Sequence, residues 1–201
     1  MKNRKSCNPD YPSLQEHWNM RIMDRTSFCG GFDATYLKEK YHNPYNVPIE
    51  SNPKCLEWIK KYCPEFKQTD NMFILDVGCG WGYFARHFAT QPVHYWGGDI
   101  SDVNVSILDQ QFARYDNTQF AKTAGFGGLV MFPDNMFDML ICKAMLYHCP
   151  KETAKTYLHN FKRVLKPNGL YVFQVAQDGY SDKLSNWTRD EIREYFPNGN
   201  I

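Results

Sequence analysis

The chain has 201 residues, enough for one domain with a full core and too few for two of ordinary size. Its 23 Lys and Arg against 22 Asp and Glu leave a net charge of +1, no electrostatic footprint for duplex nucleic acid or an anionic membrane. The seven cysteines are scattered without a CxxC pair, so neither a disulfide framework nor a metal cluster is expected.

Residues 1–13 are polar, with no apolar stretch behind their basic residues, so they do not read as a secretory signal. No run approaches the roughly 18 apolar residues of a membrane span. The chain therefore reads as soluble and cytoplasmic, with neither nucleic acid nor membrane as partner. Leu14, Trp18 and Ile22 recur at i, i+4, i+8 and predict a short helix over 14–23. Gly30-Gly31, Pro44 and Pro48 break periodicity over 24–48, and Asn43-Pro44-Tyr45 reads as a turn. Asn52 then predicts an N-cap with Pro53 at the first helical position. Leu56, Ile59 and Cys63 form the apolar stripe of that helix, and Pro64 ends it. This divides the chain into an N-terminal helical or lid segment, 1–51, and a ligand-binding domain, 52–201.

Residues 72–86, MFILDVGCGWGYFAR, organise that domain. Phe73-Ile74-Leu75 predicts a buried strand, the glycines a tight turn, and the segment from Tyr83 to about Ala89 a helix. Strand, glycine turn and helix in this order place a ligand above the carboxyl edge of a parallel sheet. A Cβ in the turn would keep the backbone from a bound ligand, and the helix start offers N–H groups to a carboxylate or phosphate. A dinucleotide loop prefers G-x-G-x-x-G. Here the pattern is D-x-G-x-G-x-G, with Asp76 two residues before Gly78.

Residues 93–98 predict a second strand ending at Asp99, about 20 residues past the glycine loop, where a carboxylate can accept from both hydroxyls of a ribose. That acid fits NAD equally well. Ser101 or Asp102 can cap the next helix, whose apolar face carries Val103, Ile107, Leu108 and Phe112. Strands follow over 118–124, 139–143 and 170–175. A helix over 152–165 lies before the last of these and is closed by Lys166-Pro167-Asn168-Gly169. Residues 188–196 predict a final helix.

The D-x-G-x-G-x-G stretch resembles motif I of the class I S-adenosylmethionine (SAM)-dependent methyltransferases, whose loop wraps the amino-acid end of SAM. VMFPDNMFD at 130–138 is similar to the "LPFPDNSFD" signature of small-molecule methyltransferases, residues 144–148 to their "LHH" loop, and RVLKPNGLYVF at 163–173 to "RVLKPGG". The dinucleotide motif has no counterpart to these last blocks, which disfavours an NAD-dependent oxidoreductase. The resemblance implies a Rossmann-like, doubly wound, mostly parallel sheet. It also implies SAM as cofactor, S-adenosylhomocysteine as product and a small-molecule acceptor. It assigns cofactor contact to Asp76, Gly78, Cys79, Gly80, Gly82, Asp99 and Ile100. Phe126 stands where the family carries an acid for the adenine. Lys143, placed inside the fourth strand's end, is a further cofactor candidate. Tyr147 and His148 are candidate bases, and Trp18, Tyr36 and Tyr41 candidate acceptor-binding residues.

The family's sixth and seventh strands, an antiparallel hairpin, have no residues left to build them after 196. A homo- or heterodimer through the fifth strand is therefore expected. The competing reading is a SAM-fold partner subunit without turnover.

Overall fold

In the computed structural model, the structure describes residues 15, 16, 18, 19, 44–123, 128–177 and 185–199. Helix α1 (Pro53–Tyr62) is capped by the Asn52 side chain, which accepts from the Lys54 N–H, with Pro53 in the first turn. Of the predicted stripe, Ile59 and Cys63 are buried and Leu56 is half-buried; Cys55 and Trp58 complete the buried face. The Trp58 ring lies 5.5 Å from Phe84. Strand β1 (Phe73–Val77), helix α2 (Tyr83–Phe88), strand β2 (His94–Asp99), helix α3 (Asp102–Phe112) and strand β3 (Thr118–Lys122) follow. Then come β4 (Phe137–Cys142), a 3-10 turn at Leu146–His148, α4 (Lys151–Val164) and β5 (Leu165–Phe173). The two-residue strands β6 (Ala176–Gln177) and β7 (Asn186–Trp187) precede α5 (Arg189–Tyr195).

The five long strands are all parallel, in the order β3-β2-β1-β4-β5. Alternation along them sorts the core into two layers. Ile74, Tyr95, Met139 and Ile141 face α1, α2 and α3, while Leu75, Val77, Leu140 and Cys142 face α4 and α5. The order reverses between β1 and β4, and the carboxyl ends there flank the crevice in which such sheets bind ligands. This is the predicted Rossmann-like sheet.

Two expectations are corrected. Lys166-Pro167-Asn168-Gly169 does not separate helix from strand: β5 already begins at Leu165, and the four residues form a bulge between the Phe137–Leu165 and Met139–Leu170 partners. Asn168 takes φ 63°, and a Cβ on Gly169 would lie 2.9 Å from the Lys166 carbonyl, so the glycine serves close packing rather than a helix cap. Lys143 lies just past β4, not within it. Among the described residues the main sheet has five strands, as expected; β6 and β7 form a separate two-stranded parallel pair and add nothing to it.

Among the described residues no helix is long and apolar enough to cross a membrane, and no group of three His, Cys, Asp or Glu is placed to hold a metal.

Candidate functional site

The glycine loop leaves β1 with Gly78, Gly80 and Gly82 all at positive φ (75°, 52° and 78°). A Cβ on Gly78 would meet the Met145 side chain at 2.5 Å, and one on Gly82 would meet Leu108 at 2.9 Å. The loop is thus wedged between the turn after β4 and helix α3, and only glycine fits at these two points. Its amides are largely committed to the protein. Gly78 and Cys79 donate to the Gly98 carbonyl (2.7 and 3.1 Å), Gly80 to Asp99 Oδ2 (2.9 Å), and Gly82 to the Cys79 carbonyl (3.0 Å). The anion-binding role expected of the helix start has little support in α2, which has only six residues.

Asp76 and Asp99 flank the loop from β1 and β2. Asp76 is buried, accepts the Tyr95 hydroxyl at 2.7 Å, and burial pushes its pKa up to about 7, with Tyr95 and Lys143 opposing. Asp99 accepts the Ser101 N–H at 2.9 Å on the oxygen not used by Gly80. Burial raises its pKa and these backbone bonds pull it back. Each Asp99 oxygen holds one of these bonds and keeps further lone-pair capacity. Ile100, next in line, is half-buried at the mouth of β2. Cys79 is buried, and its thiol lies 3.0 Å from where a Gly97 side chain would begin.

The turn after β4 divides the other candidates. Lys143 Nζ stands over the Trp58 and Tyr83 rings at 5.0 and 5.3 Å, on the α1–α2 side. Tyr147 and His148 occupy the 3-10 turn, ring centroids 4.6 Å apart, and the Trp18 ring meets His148 edge-on at 5.1 Å. Ser185 is buried and donates to the Leu146 carbonyl at 3.0 Å, so the segment before β7 supports this turn. The structure therefore brings Trp18 to His148 and seats Lys143 over the Trp58 and Tyr83 rings. Phe126, Tyr36 and Tyr41 lie outside the described residues.

Sequence reasoning missed Asn104, Tyr45 and Asn19. Ser101 Oγ donates to Asn19 Oδ1 at 2.6 Å, and Asn19 and Gln15 both donate to Asp102 (2.8 and 3.0 Å). The Tyr45 hydroxyl donates to Asn104 Oδ1 at 2.6 Å, and Asn104 Nδ2 donates to the Gly80 carbonyl. One signal was legible. Asn104 shares a helix face with Leu108 and Phe112, and a polar residue on an apolar stripe needs a partner.

The comparisons with known proteins agree with this arrangement. Residues 74–169 match the family model described as a methyltransferase domain. This match, together with the relatives and solved structures below, supports a class I S-adenosylmethionine-dependent methyltransferase. It is 30% identical over 145 residues to a probable methyltransferase of Aspergillus luteorubrus, covering 66% of this chain and 44% of that protein. It is 26% identical over 147 residues to the cyclopropane-fatty-acyl-phospholipid synthase of Escherichia coli K12, covering 70% of this chain and 35% of that one. The chain thus spans about a third to a half of the length of these curated relatives. Among solved structures it resembles Haemonchus contortus phosphoethanolamine N-methyltransferase 2, determined with S-adenosylhomocysteine. The TM-score is 0.62 at 18% identity, covering 94% of this chain and 44% of that one. The [4+2]-cyclase SpnF superposes equally well, with a TM-score of 0.62 at 19% identity over 96% of this chain and 74% of its own.

Proposed function

We propose that the chain binds SAM at the carboxyl ends of β1, β2 and β4 and transfers its methyl group to a small-molecule acceptor. The observation that carries this reading is the glycine cradle at the strand-order reversal, closed so tightly that a Cβ at Gly78 would strike Met145. The donor set suits the cofactor. Asp99 has acceptor capacity for ribose hydroxyls, Ile100 offers an apolar edge, and Gly78, Cys79, Gly80 and Gly82 present backbone without side chains in the way. Asp76, held by Tyr95, acts from beneath the loop. Phe126 takes the place of the family's adenine acid, and Lys143 supplies positive charge on the α1–α2 side.

When bound, SAM supplies an already activated methyl group, so the protein's task is proximity, alignment and exclusion of water. In this reading Trp18, with Tyr36 and Tyr41, closes the acceptor side. His148, whose ring Trp18 abuts at 5.1 Å, accepts a proton from the acceptor where one must leave, with Tyr147 beside it.

The test is calorimetric titration of the full chain with S-adenosylhomocysteine and NAD, repeated with Asp99→Ala. Binding of S-adenosylhomocysteine but not NAD, weakened in the variant, is the expected result. NAD binding, or no difference between parent and variant, would overturn it. Screening acceptors for labelled-methyl transfer then separates turnover from ligand binding alone.

A further inference from the structure

Four residues around the glycine loop close a ring of hydrogen bonds. The Gly80 N–H donates to Asp99 Oδ2 at 2.9 Å, and Asp99 Oδ1 accepts the Ser101 N–H at 2.9 Å. Ser101 Oγ accepts the Asn104 N–H at 3.1 Å, and Asn104 Nδ2 donates back to the Gly80 carbonyl. Ser101 and Asn104 are fully buried. Gly80 is thus held at both its donor and its acceptor, and the Asp99 carboxylate is oriented by two amides.

One member of the ring can be held in two ways. A carboxamide can turn over, and which end faces a neighbour is decided by the partners around it. Here the Gly80 carbonyl requires the Nδ2 end of Asn104. The Tyr45 hydroxyl donates to Oδ1 at 2.6 Å and so holds the other end of the amide from outside. Tyr45 is itself clamped. Its carbonyl accepts from Gln111 Nε2 at 2.8 Å and Arg86 Nη2 at 3.3 Å. Arg86 also donates to the Val47 carbonyl at 2.6 Å and to Gln111 Oε1 at 2.9 Å, between the Trp81 and Phe112 rings. The segment 44–47 is therefore pinned to α2 and α3 at a fixed distance from Asn104.

We infer that Tyr45 and Asn104 are positioning residues for the cofactor loop: the Tyr45 hydroxyl locks the Asn104 amide, which sets Gly80 and, through it, the Asp99 carboxylate before any ligand arrives. Such preorganisation removes an ordering cost from binding. The ligand half of this inference rests on the SAM reading above; the loop half does not.

The experiment uses the full chain and Tyr45→Phe, which deletes only the hydroxyl. Two quantities are read: amide hydrogen exchange at Gly80 against Phe88 in α2, and the dissociation constant for S-adenosylhomocysteine. Exchange at Gly80 alone should quicken, and the dissociation constant should rise about three- to tenfold, the range for losing one buried hydrogen bond. Asn104→Asp keeps an acceptor for Tyr45 but has no donor for the Gly80 carbonyl, so it should exceed Tyr45→Phe on both readouts. Tyr115→Phe, whose hydroxyl meets the exposed Arg114 side chain, should change neither.

Unchanged Gly80 exchange in Tyr45→Phe overturns the inference, and so does equal quickening at Gly80 and Phe88, which would make Tyr45 merely structural. If the parent chain binds no S-adenosylhomocysteine, the SAM reading fails, and Gly80 exchange alone decides the coupling.

Discussion

Arg163 on α4 donates to the Phe132 carbonyl at 2.8 Å through Nη1 and to the Leu129 carbonyl at 2.8 Å through Nη2. Two stretches that stand 25 or more residues apart in the sequence are one structural unit. The backbone completes it: Asn135 N–H donates to the Arg163 carbonyl and Met136 N–H to that of Val164, each at 2.9 Å. The additional contact to exposed Asp134 adds little, as surface ion pairs do. Arg163→Met should leave the Phe132 carbonyl without a donor and the Leu129 carbonyl with the Phe132 N–H alone, and cost about 2–3 kcal/mol. Thermal unfolding should show a fall of about 4–10 °C at this chain length. A variant within 1–2 °C of the parent would mean water replaces the guanidinium.

The three loop glycines should not be equally demanding. Gly80→Ala places its Cβ in open space, the nearest atom being the Gly78 carbonyl at 4.0 Å, and faces chiefly the penalty of positive φ, about 1 kcal/mol. Gly78→Ala adds a collision with Met145 and should cost clearly more, about 3 kcal/mol. Denaturant midpoints of the two variants give the comparison, and equal losses would contradict the packing described for Met145.

Asp76 makes stability depend on pH in an identifiable direction. Its folded pKa, about 7, lies above the ordinary carboxyl value of 3.8 because of burial. The group's contribution is therefore fully present below 3.8 and is lost as pH rises toward 7, since the folded state holds the proton longer. His87 works the opposite way. It is buried, its Nδ1 accepts the Asn52 N–H at 3.0 Å, and burial lowers its pKa from 6.5. Its contribution is present above 6.5 and falls as pH drops. In Asp76→Asn the urea midpoint should lose the Asp76 decline between pH 4 and 7 and keep the His87 decline on acidification. Parallel parent and variant profiles over that window would exclude a titrating Asp76.

Cys55, Cys63, Cys79, Cys142 and Cys149 are all buried. Burial pushes the Cys55 thiol up to about 12 and the Cys63 thiol up to about 11, and raises those of Cys79 and Cys142 well above the ordinary value. Thiolate is the reactive form, so these thiols should be inert in the native state. In a Cys7→Ser, Cys29→Ser background, Ellman's reagent should find almost no fast-reacting thiol until urea is added. A fast native thiol would show that one of the five opens to solvent.

Much of the frame was legible in the residues. Asn52-Pro53, Ser101 and Thr188 mark helix starts because short polar side chains satisfy first-turn amides, and each does so here. Short apolar runs such as Phe73-Ile74-Leu75 located strands, and the D-x-G-x-G-x-G spacing singled out the loop. Such signals are local: the chemistry that produces them lies within a few residues. The bulge at 166–169 was misread because Pro and Gly punctuate bulges as readily as helix ends, and only pairing with β4 decides between them.

The sequence by itself determined the secondary elements, the sheet class and the position of the glycine loop, since hydrophobic period, caps and turn residues act at short range. Tertiary structure alone decided that the Asp99 carboxylate grips the Gly80 amide, that Asn104 links Tyr45 to the Gly80 carbonyl, that Lys143 sits over Trp58 and that Trp18 meets His148. These are meetings of side chains brought together by strand order and packing, between residues far apart in the chain, 59 positions for Tyr45 and Asn104. No local periodicity encodes which partner a buried polar group will find; the fold must close before the hydrogen bonds can be assigned.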